Sequence, residues 1–291
     1  MPKCRMPDSR CLLALHAHPD DEVFRTAGIF AKYADAGHRV VAVYATRGEL
    51  GEMHDPDLDP EAALPRLGEI REQEVRNACA LLGVTDVYFL GYRDSGMSGS
   101  EANNDPAAFM NAPLHEAASR LFEIMKETEP QVVVSYDEHG EQAYGHPDHI
   151  MVNRVAVEAF RRARREAWGP QKLYYTASSR EAFRRWTEAL KKAGLKMPWI
   201  DEGDFDFDEY GTPESEITAH VDIAKYVSLK KRALAAHRTQ IRSDFFYLSI
   251  PDEALTEAAG VEYYLRVHPP ARPGEREDDL FDGTMISTRV A

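Results

Sequence analysis

Apolar residues along this chain fall into two kinds of run that take turns. Cys11–His16 (CLLALH) and Arg39–Thr46 (RVVAVYAT) are near-continuous apolar stretches, and Asp86–Tyr92 (DVYFLGY) and Gln131–Tyr136 (QVVVSY) follow the same style. Such runs, lacking polar alternation, mark strands covered on both faces. Between them, Ala27–Ala36, Pro65–Leu82 and Pro113–Thr128 carry apolar residues at helical spacing, and Gly37 and Gly83 stand where two of these helices should stop. Strand and helix in this rhythm predict an α/β fold: a mostly parallel sheet with helices on both faces.

Beyond Pro147 the pattern predicts a long helix to about Trp168, a strand at Lys172–Thr176, a strand at Ile217–Ile223 and a helix over Ala224–Ile241. The stretch from Gly203 to Glu216 is acidic and turn-rich, as a surface insertion would be. Its Asp204, Asp206 and Asp208 alternate like calcium-loop ligands, but Gly211 is misplaced and no glutamate closes the loop, so calcium is not expected there. No internal repeat, low-complexity tract or long linker interrupts the chain. The expectation is a single domain over residues 1–291, with a core at about 11–178 and a decorated C-terminal third at about 179–291 that completes a substrate groove.

Composition narrows the class of partner. A chain of 291 residues buries a large core without staples, and 43% hydrophobic with 29% charged residues is ordinary for a globular protein. The longest apolar runs fall far short of the ~20 residues a membrane helix needs. Lys3, Arg5, Asp8 and Arg10 precede too short an apolar run for a signal peptide, so export is not expected. Lys plus Arg number 35 against 49 Asp plus Glu, a net charge of −14, which is the wrong field for nucleic acid or an anionic membrane. Cys4, Cys11 and Cys79 show no C-x-x-C spacing and read as reduced thiols of a cytoplasmic protein, Cys79 filling a helix core position.

Chemistry concentrates in two clusters. His18-Pro19-Asp20-Asp21-Glu22 directly follows the first strand, at the strand ends where doubly wound sheets bind ligands. His18 and Asp21 are three residues apart, so one helical turn would put both on one face as a ligand pair, leaving Asp20 to accept a proton from a bound water. A helix N-terminus, with Pro19 in the first turn and acids facing the dipole, explains this cluster alone equally well. Tyr144-Gly145-His146-Pro147-Asp148-His149, after the strand ending at Tyr136, decides between them. Packing and capping do not need so many imidazoles and carboxylates at one sheet edge. His, His and Asp suit zinc, with a fourth position left for water.

These residues resemble the zinc-dependent GlcNAc de-N-acetylases, a family that includes the phosphatidylinositol-glycan deacetylases, the LmbE proteins and the mycothiol enzymes. The likeness also runs through Thr46-x-Gly48-Glu49-x-Gly51, Arg71-Glu72-x-Glu74, Gly91-x-x-Asp94-Ser95-Gly96 and Ala236-His237-Arg238-Thr239-Gln240-Ile241, and so covers about Leu13 to Ile241. It implies a Rossmann-like, LmbE-like fold. Position by position, it implies His18, Asp21 and His149 as zinc ligands, with iron as an alternative metal in the cell. Asp20 matches the general base. His146 matches the group that, protonated, steadies the oxyanion and protonates the leaving amine, with Asp148 orienting it and Tyr144 polarising the carbonyl. Arg71, Asp94 and Glu49 match positions that hold sugar or inositol hydroxyls.

The resemblance therefore implies metal-dependent hydrolysis of the amide of an N-acylated glucosamine, a small-molecule substrate. Length and the D-S-G corner are closest to the mycothiol branch, which contains an S-conjugate amidase and a deacetylase. Arg25 favours the amidase, because conjugate amidases carry a lysine at this place and the deacetylases a small polar residue; Val23 and Phe24 depart from both. The alternatives are an N-acetylglucosaminyl-inositol or related amino-sugar deacetylase and, in another class, a non-catalytic sugar-binding domain. Elsewhere, His139 and the Arg161–Glu166 stretch read as solvated and His38 as a surface cap. His237 reads as substrate-facing or structural, and Trp186, Trp199, Tyr174 and Tyr175 as packing residues.

Overall fold

The structure is a computed structural model that describes residues 9–140, 145–192, 194 and 211–286. Tyr144, Cys4, Trp199 and the Asp204, Asp206 and Asp208 series lie outside the described residues. Seven strands form one sheet in the order β3-β2-β1-β4-β5-β7-β6. They are β1 (Cys11–His16), β2 (Arg39–Thr46), β3 (Asp86–Tyr92), β4 (Val132–Ser135), β5 (Lys172–Ala177), β6 (Ala219–Asp222) and β7 (Val261–His268). The first five pair in parallel, and β7 runs antiparallel to both β5 and β6. The mostly parallel sheet expected from the apolar runs is thus observed.

Alternate residues of β1 feed opposite cores. Leu12 and Ala14 join one apolar cluster, while Cys11, Leu13 and Leu15 join the other. On the first face lie α1 (Asp21–Arg25), α2 (Ala27–Asp35), α4 (Leu67–Leu81), which follows the short α3 (Pro60–Ala63), and, from the C-terminal third, α8 (Val227–Leu234). The second face is covered by α5 (Leu114–Thr128) and α6 (Pro147–Ala163). Between α6 and α8 the chain forms α7 (Arg180–Lys192), and after α8 it forms α9 (Phe246–Ser249) and α10 (Asp252–Ala259). Gly37 and Gly83, both at φ 80°, follow α2 and α4 as the left-handed stops expected of them. Cys79 is buried beneath the sheet with Tyr44, and Cys11 is likewise a buried free thiol.

Two helices end earlier than their apolar spacing predicts. The helix from Pro147 stops at Ala163 rather than near Trp168, and the indole turns in against Phe122. The helix expected to reach Ile241 stops at Leu234. Beyond it, backbone and side chains make bonds that a continued helix would forbid: Thr239 donates its amide and hydroxyl to Glu74, and His237 reaches Glu22.

β7, not expected from the sequence, ties the C-terminal third to the front of the sheet. Glu262 is buried there, and its carboxylate accepts the amides of Gly28 and Ile29 at 2.9 Å each, Lys230 Nζ at 2.7 Å and the Tyr264 hydroxyl at 3.0 Å. An ionised carboxylate is tolerated in a core only with such a donor set. Glu262→Ala should therefore lower unfolding stability by roughly 3–5 kcal/mol, because it strands a buried lysine and two helix-start amides. Urea titration of the variant against the parent chain checks this.

Candidate functional site

β1 and β4 are neighbours whose chains continue to opposite sides of the sheet, and both sequence clusters leave from their carboxyl ends. Such a divergence opens a crevice at the sheet edge. In the first corner Asp20 holds a left-handed backbone, φ 107° and ψ −23°, a conformation that costs a non-glycine residue about 1–3 kcal/mol. Arg71 and Glu22 impose it. The buried Arg71 guanidinium donates to the carbonyls of Pro19 (2.5 Å) and Gly48 (2.7 Å) and to Asp20 Oδ2 (3.2 Å), and Glu22 Oε2 accepts the Asp20 amide at 3.1 Å. Behind Glu22, the fully buried His237 sits 2.7 Å from Oε1, so the even choice for His237 resolves as a structural polar role.

His18 and Asp21 meet, though not as neighbours on a helix face. Asp21 begins α1, and its Oδ2 turns back to accept the amides of Ala17 (3.1 Å) and His18 (2.8 Å) together with the Tyr136 hydroxyl (2.8 Å). Its Oδ1 lies 3.5 Å from His149 Nε2. In the second corner His146 caps α6, its Nδ1 accepting the amide of Asp148 at 3.1 Å. His149, one turn in, stacks on Tyr136 with ring centroids 4.5 Å apart at 14°. The His18 ring lies 4.6 Å from that of His146 and 5.5 Å from that of His149.

Three carboxylates surround His18, with Asp148 at 3.1 Å, Asp94 at 3.6 Å and Asp21 at 3.9 Å. Burial alone would lower the His18 pKa, but the hydrogen bonds and charges of Asp148, Asp94 and Asp21 outweigh it and hold the pKa well above the usual histidine value. Burial opposes the charge of Asp21 too, yet His149 and His18 keep its pKa well below the usual carboxylate range. Asp20 behaves oppositely: burial raises its pKa to about 6 against the pull of Arg71. For His146, burial and the charge of His18 push the pKa down to about 4.

With this pKa His146 is uncharged near pH 7. The Asp148 carboxylate takes the Ser95 amide (3.0 Å), the Ser95 hydroxyl and His18 Nε2 (3.1 Å), and its backbone N–H donates to His146 Nδ1 (3.1 Å). At the second position of a helix the side chain points back toward the preceding turn's neighbours, here Ser95 and His18, while the amide faces the cap.

One ligand atom each from His18, Asp21 and His149 lies within 4.8 Å of the others, and the same holds for His18, Asp94, His146 and Asp148. The first set, two imidazole nitrogens and one carboxylate oxygen, has the donor chemistry of a divalent metal site. Glu49 and Asp94 adjoin it: Glu49 Oε2 accepts the Asp94 amide (3.1 Å), and Asp94 accepts those of Leu50 (3.2 Å) and Gly96 (2.8 Å). Arg25 stands apart. Its Nη1 donates to Ser178 Oγ at 2.5 Å, and it lines a cavity of about 220 Å³ with Phe24, Phe183, Trp186 and Lys230, none of them in the metal-type groups. Sequence reasoning gave no role to Tyr136 or His16. Both are strand-end residues whose polar atoms are invisible in an apolar pattern.

Residues 13–160 match the family described as PIG-L, GlcNAc-PI de-N-acetylase. The chain is 43% identical over 285 residues to the 1D-myo-inositol 2-acetamido-2-deoxy-alpha-D-glucopyranoside deacetylase of Acidothermus cellulolyticus, an alignment spanning 95% of this chain and 96% of that protein. It is 40% identical over 300 residues to the protein of the same name from Salinispora arenicola, spanning 97% and 94%. Among solved structures, N,N'-diacetylchitobiose deacetylase from Pyrococcus horikoshii matches at a TM-score of 0.58 with 20% identity, covering 89% of this chain and 84% of that one. The 4-carboxy-2-hydroxymuconate hydratase GalB of Pseudomonas putida matches at 0.57 with 18% identity, covering 90% and 98%. At such identities these two show the fold alone. The chain belongs to the PIG-L family and is an amide-bond hydrolase.

His18→Ala and His149→Ala should each lose most bound metal, since each removes one of three donors, while the circular dichroism of the chain stays as in the parent. Metal analysis of the purified variants checks this; full occupancy in both would overturn the ligand set.

Proposed function

We propose that this chain removes the acetyl group from an N-acetylglucosamine joined to inositol, using a divalent metal, zinc by its donor set, held by His18, Asp21 and His149. The observation that carries the substrate is the 43% identity, end to end, with a protein named for deacetylating that compound. This replaces the S-conjugate amidase favoured from Arg25. That inference rested on one position, and Arg25 is engaged with Ser178 at the mouth of a separate cavity. The relatives named as deacetylases weigh against the non-catalytic reading.

A metal held by these ligands would acidify a bound water and polarise the amide carbonyl. The remaining work belongs to side chains. Asp20, fixed by Arg71 and with a pKa near the operating range, accepts the proton of the attacking water. His146, neutral and with Nδ1 occupied by the Asp148 amide, presents Nε2–H as a hydrogen-bond donor to the developing oxyanion. It holds no spare proton for the amine. The proton that the nitrogen takes as the C–N bond breaks is therefore the one Asp20 removed from water; the acyl group leaves as acetic acid carrying water's other proton, which it releases to solvent as acetate forms. Glu49, Asp94 and Arg71 border this corner, and in this reading the carboxylates of Glu49 and Asp94 meet the sugar hydroxyls while Arg71 holds the base. Tyr144 keeps the carbonyl-polarising role implied by the resemblance. The C-terminal third, joined through β7, walls the groove.

Three outcomes test the assignment. Offered N-acetylglucosaminyl-inositol and a mycothiol S-conjugate side by side, the zinc-loaded chain should turn over the first with the higher kcat/KM; the reverse order would restore the amidase. Asp20→Ala should keep its metal and lose roughly 10²–10⁴-fold in kcat, the size of a general-base contribution. His146→Gln, which keeps an N–H donor near the Nε2 position, should retain more turnover than His146→Ala. Equal losses in the two His146 variants would make His146 the proton source after all.

A further inference from the structure

Tyr136 follows β4 and is fully buried, yet both ends of it meet proposed metal ligands. Its hydroxyl donates to Asp21 Oδ2 at 2.8 Å, and its ring lies flat on His149. Behind it, His16 Nδ1 is 3.1 Å from the Tyr136 oxygen, and His16 Nε2 is 3.0 Å from Thr26 Oγ1. A phenol has one proton. Given to Asp21, it leaves the oxygen to accept, so His16 carries its proton on Nδ1 and accepts the Thr26 hydroxyl at Nε2. The chain of donors runs Thr26, His16, Tyr136, Asp21, all pointing toward the carboxylate.

The consequence falls on one oxygen. Asp21 Oδ2 accepts from two backbone amides and from Tyr136, whereas Oδ1 faces His149. A carboxylate with one oxygen occupied in this way offers the other to a cation, in a fixed orientation. The stack does the same for the plane of the His149 ring.

We propose that Tyr136, backed by His16, is a positioning residue that sets the affinity of the metal centre by committing Asp21 Oδ1 and the His149 ring to the ion. The inference rests on His18, Asp21 and His149 being the ligands. Partners that orient ligands in this way change metal affinity by about 10–100-fold when removed.

The test is a zinc titration of the full chain against a competing chelator, with thermal unfolding of the metal-free protein measured alongside. Tyr136→Phe keeps the ring and loses the hydroxyl, and its zinc Kd should rise by about 10–100-fold with the metal-free Tm little changed. A Kd within about threefold of the parent, whatever the Tm, overturns the proposal, because a purely structural tyrosine would move only the Tm. His16 gives a second route if Tyr136→Phe fails to fold. His16→Leu removes the donor to Tyr136, whereas the side-chain N–H of His16→Asn falls near the lost Nδ1–H. Zinc binding should weaken in the first and largely recover in the second, and equal effects would count against the relay. A parent chain that binds no zinc overturns the ligand assignment and this inference with it, an outcome distinct from a parent that binds and variants that bind as well.

Discussion

Burying many carboxylates in one crevice is the constraint from which the rest of the site follows. Asp21, Asp94 and Asp148 crowd around His18 and His149, with Asp20 and Glu22 beside them in the same corner, and an unpaired charge in such a place would neutralise itself or unfold its surroundings. Each acid instead has its own donors. Asp21 has two amides and a tyrosine, Asp20 has Arg71, Glu22 has His237, Asp94 has the Leu50 and Gly96 amides, and Asp148 has Ser95. These donors come from the loops after β1, β2 and β3, from β4 and from α4, besides the segment after α8. The charged centre therefore specifies how the strand ends converge, and the packed sheet holds them there.

The same constraint explains the strained backbone at Asp20. Asp21 turns one oxygen onto the amides of Ala17 and His18 and the other toward His149, and the preceding Asp20 stands in a left-handed conformation between them. Arg71 stabilises the corner by holding the Pro19 carbonyl and the Asp20 carboxylate together. Strain of this kind persists only when the surroundings over-determine it. Here it sets the Asp20 carboxylate against Arg71.

Much of this was legible in the sequence, for a definite reason. Strands buried on both faces leave near-continuous apolar runs, so β1 and β2 could be bounded from the pattern alone, as could the parallel arrangement; β3 kept its expected bounds but not its expected burial, because it is the sheet's edge strand and only Leu90 in it is buried. The two His/Asp clusters were visible because local sequence places them at strand ends. β7 was not legible: its inward side carries Glu262, whose burial depends on amides from α2 and a lysine from α8, far away in the chain. The true end of α8 was hidden likewise, since the bonds of His237 and Thr239 that stop the helix go to Glu22 and Glu74. Tyr136 and His16 read as strand residues because their ring carbons dominate the pattern while their polar atoms act at another corner. Apolar periodicity reports what a residue packs against, and it misses the partner that a polar atom finds across the fold.

The match to a hydratase shows that this scaffold does not dictate hydrolysis of an amide. What narrows the reaction is the difference in proton affinity between two groups in one corner. Burial raises Asp20 toward neutrality and lowers His146 away from it, so at neutral pH the carboxylate can hold a proton briefly and the imidazole stays uncharged. A neutral imidazole with one nitrogen committed to a backbone amide can donate a hydrogen bond to an oxyanion without giving up the proton. An amide demands this division of labour: an oxyanion forms first, and the amine must be protonated before it leaves. Both demands are met when the base returns the proton it took. Two oppositely shifted groups beside the His18, Asp21 and His149 cluster thus suit amide cleavage.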